Sequence, residues 1–190
     1  DVKYVDRNGD GVVDDNDRDI IGNPNPDFTY GFQTKVSWKS LSLSASFNGV
    51  QGRDILNVGN RYNNTPGTKS NNVTRKAFQN MWTDENPSNL YPKSTFVVQN
   101  MVMDRYVEDG SYLRCSDITL SYILPAKWTN KIGIKNTSVY ASVKNAFVIT
   151  DYSGYDPEVN SFAFDGLRPG VDMNSYPTPR SFVFGLNLTF

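Results

Sequence analysis

The sequence predicts an all-β chain, and more narrowly an antiparallel transmembrane β-barrel segment: about the last five strands of a larger barrel, with long extracellular loops. Three observations predict it. Apolar and polar residues alternate with period two in five separate runs. The runs reach the roughly 9–11 residues that a tilted strand needs to cross a bilayer, where a soluble strand is nearer 5–6. The connections alternate between short and long, the asymmetry that outer-membrane barrels show between their periplasmic and extracellular ends.

The first strand covers 28–38, with Phe28, Tyr30, Phe32, Val36 and Trp38 on one face and Thr29, Gly31, Gln33, Lys35 and Ser37 on the other. Lys39-Ser40 is a two-residue hairpin turn. The second strand, 41–49, sets Leu41, Leu43, Ala45 and Phe47 against Ser42, Ser44, Ser46 and Asn48. The third, 112–124, sets Ile118, Leu120 and Tyr122 against Asp117, Thr119 and Ser121, and the short stretch Pro125 to Asn136 leads on. The fourth, 137–149, sets Val139, Ala141, Val143 and Phe147 against Ser138, Tyr140, Ser142 and Lys144. The fifth, 180–190, sets Phe182, Phe184, Leu186, Leu188 and Phe190 against Val183, Gly185, Asn187 and Thr189. Long Asn-, Gly- and Pro-rich loops fill 50–111 and 151–178. In the first of them Val73, Ala77, Phe78, Met81 and Trp82 have helical spacing and predict a short amphipathic helix. Residues 1–27 form a further extracellular loop, so the chain divides into that loop and a barrel portion over 28–190.

A soluble sandwich also alternates, with its apolar faces packed together. Every charge inside the five runs lies on the polar face (Lys35, Asp117 and Lys144), which either architecture permits. Phe28, Tyr30 and Trp38 stand at run ends, where an interfacial aromatic girdle would lie. A membrane barrel must close, because hydrocarbon cannot satisfy open backbone edges. Five strands are too few for closure. The chain then reads as the C-terminal piece of a larger barrel or one copy of an oligomeric one. The first residues show no basic region followed by an apolar stretch, so they are not a signal peptide. The rival reading is a soluble calcium-stabilised β-module of a surface adhesin or carbohydrate-binding protein.

Composition excludes several functions. There is no histidine and one cysteine, Cys115. That removes Ser-His-Asp and Cys-His chemistry, an internal disulfide and the usual zinc sites within this chain. A net charge of −1 argues against a nucleic-acid surface. Mean hydropathy is −0.51, and no run approaches the ~18 apolar residues of a membrane helix. Aromatic residues reach 13%. The carboxylate pairs Asp84/Glu85, Glu108/Asp109 and Asp156/Glu158 all fall in loops, where solvated or loop-structuring roles outweigh acid–base catalysis.

Asp6-Arg7-Asn8-Gly9-Asp10-Gly11-Val12-Val13-Asp14-Asp15-Asn16-Asp17 has the spacing of a calcium loop. Its ligands would be Asp6, Asn8, Asp10, the Val12 carbonyl, Asp14 and Asp17, around a structural Ca2+ ion. Gly11 permits the sharp bend, and Val13 is expected to point into the protein. No amphipathic helices flank the loop, so a paired helical switch is not expected.

These residues resemble a family. The acidic loop followed by Ile21-Gly22-Asn23-Pro24-Asn25-Pro26-Asp27-Phe28-Thr29-Tyr30-Gly31-Phe32 is similar to the late barrel region of SusC/RagA-type TonB-linked outer-membrane transporters. So are Trp82-Thr83-Asp84-Glu85-Asn86-Pro87, then Tyr106 to Arg114, then Leu120 to Pro125. Asn145 to Thr150, Tyr152-Ser153-Gly154-Tyr155-Asp156-Pro157-Glu158 and Tyr176-Pro177-Thr178-Pro179-Arg180 complete the series in the family's order. The resemblance implies a barrel of about 22 strands whose plug and energy-coupling box lie upstream. It implies no enzyme activity but import of oligosaccharides or peptides, with a SusD-like surface lipoprotein as lid and the TonB complex as energy source. It also implies that Phe190 is read by the outer-membrane assembly machinery. Cys115 departs from the family's usual larger residue. Among the loop aromatics Tyr62, Trp82, Tyr91, Tyr152 and Tyr155, we single out Trp82, Tyr152 and Tyr155 as candidates for stacking on substrate.

Overall fold

The computed structural model describes residues 4–65, 72–94, 102–129, 134, 136–158 and 160–189. Five strands make one antiparallel sheet: β1 (Phe28–Trp38), β2 (Leu41–Gln51), β5 (Tyr112–Ile123), β6 (Asn136–Thr150) and β8 (Ser181–Thr189), in the order β1-β2-β5-β6-β8. Each strand pairs with the next one of the meander. β2 runs to Gln51 and β6 spans fifteen residues, past the apolar alternation. Their upper ends carry polar partners instead, such as Tyr112 opposite Thr150.

The hairpin between β1 and β2 turns through Lys39, which takes a left-handed φ of 53°. That matches the right-handed twist of the strands it joins. Its ammonium group sits 4.9 Å from the Trp38 ring, a cation–π contact at the sheet end.

Register aligns the apolar residues into rows. Val36, Leu43, Leu120, Ala141 and Phe184 stand side by side across all five strands. No second sheet covers them among the described residues: Leu43 is 47% exposed and Phe184 78%. The opposite face carries Lys35, Ser44, Thr119 and Ser142 in one row and Gln33, Ser46, Asp117 and Lys144 in the next. There the hydroxyls of Thr119 and Ser142 each donate to the Asp117 carboxylate at 2.7 Å.

A bulge interrupts this pattern. Ser46 pairs with Asp117 but Phe47 pairs with Cys115, so Ser116 is the extra residue. Above it the parity of β5 flips. Cys115 joins the apolar face, fully buried between the paired side chains of Phe47 and Phe147, whose ring centroids are 6.3 Å apart. Arg114 and Tyr112 turn to the polar face.

Most of the other buried apolar residues lie above the sheet. Ile55, Ala77, Met103, Tyr106 and Tyr152 belong to the two long loops. Those loops contain a second, three-stranded sheet in the order β4-β3-β7, built of β3 (Asp54–Asn57), β4 (Val107–Asp109) and β7 (Val171–Asp172). β3 pairs antiparallel with β4 and parallel with β7, which ties both loops together. The segment before β1 joins it: Asp54 N donates to Asn23 O at 2.8 Å, and Asn23 N donates to Asp54 Oδ2 at 2.8 Å. Gly22 allows this approach, since a Cβ there would meet Val107 at 2.9 Å.

Two short helices follow β3 in the chain: α1 (Val58–Asn64), capped by Asn57, and α2 (Arg75–Asn80), capped by Thr74. The helix expected near Val73–Trp82 is therefore six residues long and ends before Met81. Met81 is drawn into a bridge with Tyr91, and Trp82 N donates to Tyr91 O at 3.1 Å. α3 (Ala126–Thr129) lies in the short connection between β5 and β6.

Candidate functional site

The acidic loop is organised by its own side chains. Asp6 accepts N–H bonds from Gly9 (2.7 Å) and Gly11 (2.8 Å). Asn8 accepts from Asp10 N, and Asp10 from Val12 N. Asp17 accepts from Arg7 N and Asp14 N, both at 2.8 Å. Asp14 and Asp17 close a reciprocal capping box around the 3-10 turn Asp15–Asp17. Gly9 and Gly11 take φ of 75° and 84°, a region that glycine enters freely. The N–H groups of Asp14 and Arg7 hold the Asp17 carboxyl below the usual carboxylate range. The donor set is all oxygen, as a hard cation prefers. Among the described residues no three or more His, Cys, Asp or Glu side chains converge as a ready-made metal cluster. Val13 does not point into the protein. It is 54% exposed, like most of the acidic loop around it.

The cap over the sheet is held by buried charge. Arg114, raised on β5 by the bulge, is 4% exposed, and Asp156 is 2% exposed. Arg114 Nη2 pairs with Asp156 Oδ1. Its Nε lies 2.9 Å from Glu158 Oε2, out of line for a hydrogen bond but close enough for an ion pair. Tyr112 Oη donates to Glu158 Oε1 at 2.6 Å, and Asn48 Nδ2 donates to the same oxygen at 3.1 Å. Glu158 N and Thr178 N donate to the two Asp156 oxygens. Burial alone would raise the Asp156 carboxyl. Those two N–H groups and the Arg114 guanidinium outweigh it and hold the group below the usual carboxylate range. A second polar knot lies beside it. Glu108 accepts from Asn57, Asn60 and Ser153.

Tyr152 is corrected as a substrate residue. It is 5% exposed, and its hydroxyl donates to Asp172 Oδ2 at 2.7 Å. Burial and the Asp172 carboxylate push the phenol well up from its ordinary value. It is a packing residue that binds the second long loop to β7. Tyr155 is the opposite case, at 72% exposed. Trp82 is partly exposed, with Lys93 Nζ 5.1 Å from its ring centroid. The structure does not bring Trp82, Tyr152 and Tyr155 into a single cleft through any described contact. Phe190 lies outside the described residues. The Arg114 cluster was missed by sequence reasoning, which took Asp156 and Glu158 for loop-structuring groups without a partner. The signal was there in a lone arginine beside the cysteine of an otherwise uncharged strand end.

A sheet with one apolar face turned outward, one polar face turned inward and an ordered cap at one end defines a segment of transmembrane β-barrel wall. No family model matches the chain. Across its whole length it is 35% identical to TonB-dependent receptor P26 of Formosa agariphila, of which it covers 19%. Over 98% of its length it is 34% identical to TonB-dependent receptor SusC of Bacteroides thetaiotaomicron, of which it covers 17%. It superimposes on the solved RagAB peptide transporter with a TM-score of 0.76 and 29% identity, over 90% of this chain and 18% of that one. The chain thus spans about a fifth of the length of the curated relatives it matches. Over its whole length it is similar to a barrel portion of SusC/RagA-type TonB-dependent receptors, which places it in the outer membrane of a Gram-negative bacterium. Its curated relatives are named as receptors and its solved neighbour as a peptide transporter.

Proposed function

We propose that the whole protein, of which this chain forms part of the wall and rim, imports oligosaccharides or peptides across the outer membrane. A SusD-like surface lipoprotein would close over the rim, and the TonB complex would supply energy through the upstream part. The observation that carries this reading is the match over the full chain to named TonB-dependent receptors, joined to the superposition on a named peptide importer. The exposed ring of Tyr155 and the partly exposed ring of Trp82 remain the side chains suited to stacking on a passing sugar or peptide. Deletion of the gene tests the reading. Growth on one polymeric glycan or peptide as sole nutrient should fail while growth on its monomers persists. Unchanged growth and uptake on every such polymer would overturn it.

We further infer that the acidic loop holds a structural Ca2+ through Asp6, Asn8, Asp10, the Val12 carbonyl, Asp14 and Asp17. Ligand spacing and two left-handed glycines support it. The ion would have to draw the carboxylates together from their turn-capping positions. Terbium luminescence sensitised by Tyr4, with Ca2+ competition in the full-length protein, should be lost in Asp10→Ala with Asp17→Ala. Sensitisation that survives both changes would exclude the loop.

A further inference from the structure

The gap between β6 and β8 holds a notch that the chain builds entirely from its own residues. The ladder between these strands ends at Lys144 opposite Ser181. β6 continues to Thr150 without a β8 partner. The space beside it, of about 150 Å3, is walled by Asn145, Phe147, Tyr155, Asp156 and Arg180, with Arg114 at the back. β6 and β8 are neighbours in the sheet, so the remainder of a barrel has no strand to insert there.

The charge in this notch is unbalanced. Among the described residues Asp156 is its only acidic wall, and both Asp156 oxygens are already occupied by Arg114 and the N–H groups of Glu158 and Thr178. Arg180 is exposed and has no carboxylate within 4.0 Å among the described residues. Its Nε makes a long 3.4 Å bond to Asn145 O, which leaves both terminal nitrogens open among those residues. Asn145, in a left-handed conformation (φ 52°), is pinned by its own Nδ2 bond to Pro179 O at 3.0 Å. An open guanidinium fork suits a bidentate oxyanion. The volume is below the roughly 300–1,000 Å3 of a small-molecule pocket, so the notch takes a single charged group and not a sugar chain.

What lies below the notch chooses among anions. Phe182, Phe184, Leu186 and Leu188 descend from it as an exposed apolar row on β8, and Phe147 flanks it on β6. We propose that the notch seats the phosphate headgroup of an outer-leaflet glycolipid whose acyl chains lie along that row, with Arg180 as the phosphate ligand and the Tyr155 ring beside it. The proposal rests on the long loops facing outward, and it is independent of what the barrel imports.

Native mass spectrometry of the full-length protein in detergent tests it, with diphosphorylated lipid A as probe and the same lipid stripped of phosphate as comparison. One basic side chain near a membrane surface corresponds to a preference of about five-fold for the charged lipid. Wild type should show that preference, Arg180→Gln should lose it, and Lys39→Gln, at the far end of the sheet, should keep it. Arg180→Lys, which keeps the charge without the fork, should fall between. An unchanged preference in Arg180→Gln would overturn the proposal. Full displacement of the lipid by millimolar inorganic phosphate would also overturn it, by showing a free-anion site that makes no use of the acyl row.

Discussion

The wall and the cap of this molecule answer to different solvents. In the wall, apolar side chains face outward and stay exposed, and cohesion comes from backbone ladders across five strands. In the cap, side chains turn inward, and cohesion comes from buried and half-buried polar groups: Arg114 with Asp156, Tyr152 with Asp172, and Glu108 with its amides. One chain thus carries two opposite rules for what may be exposed. The bulge at Ser116 is where β5 passes from one rule to the other, since it puts Cys115 on the apolar face and Arg114 under the cap.

Breaking the cap's main ion pair should have the largest effect. Arg114→Ala leaves buried Asp156 without its cation, a loss of about 3–5 kcal/mol. Hydrogen exchange on the full-length protein should show loop 151–178 opening while the β2–β5 ladder below the bulge keeps its protection. Loss of protection throughout the sheet would mean that wall and cap form one cooperative unit. Next in size is a charge placed in the wall. Leu43→Arg should cost about 2–4 kcal/mol if that face meets lipid at mid-depth, whereas Ser44→Arg, one residue along and on the other face, should cost little. Equal costs by denaturant titration in detergent would remove the distinction between the faces.

Smaller effects sharpen the comparison. Tyr152→Phe removes the hydroxyl that donates to buried Asp172 and should lower cap stability by about 1–3 kcal/mol, read as faster proteolysis within 151–178 only. Acid should open the cap only at low pH. Asp156 has a depressed folded-state value, so its contribution is complete above the ordinary carboxyl value of 3.8 and is lost as pH falls through the lower folded value. Proteolytic protection of the loop should therefore persist to about pH 4 and fail below it. Failure at pH 5–6 would assign the protection to another group.

The wall was legible in the sequence because its signal is long. Long alternation in β1 and β2, each eleven residues in length, and a two-residue turn at Lys39-Ser40 leave little choice of register. The cap was not. β3, β4 and β7 are four, three and two residues long, too short for periodicity to register. Their partners are distant in sequence: Leu56 of β3 pairs with Val107 of β4 and with Val171 of β7. For the same reason Tyr152 and Tyr155 looked alike as loop aromatics. Only the contact with Asp172 separates the buried ring from the exposed one. The acidic loop sits between these cases. Its turn bonds span ten residues or fewer and follow the spacing of the aspartates, yet the exposure of Val13 is a matter of tertiary packing, which local spacing does not encode.

The most direct test of the two-solvent account is a cysteine scan along β2 from Leu41 to Asn48 in the full-length protein in outer membranes. Buried Cys115 serves as a silent background. Each position is probed with a membrane-impermeant thiol reagent and, as a spin label, with a lipid-dissolved relaxant. The account predicts strict alternation, with Ser42, Ser44, Ser46 and Asn48 open to the aqueous reagent and Leu41, Leu43, Ala45 and Phe47 open to the lipid relaxant. Apolar positions closed to both probes would show that face packed against protein, and would contradict the account in favour of a soluble sandwich.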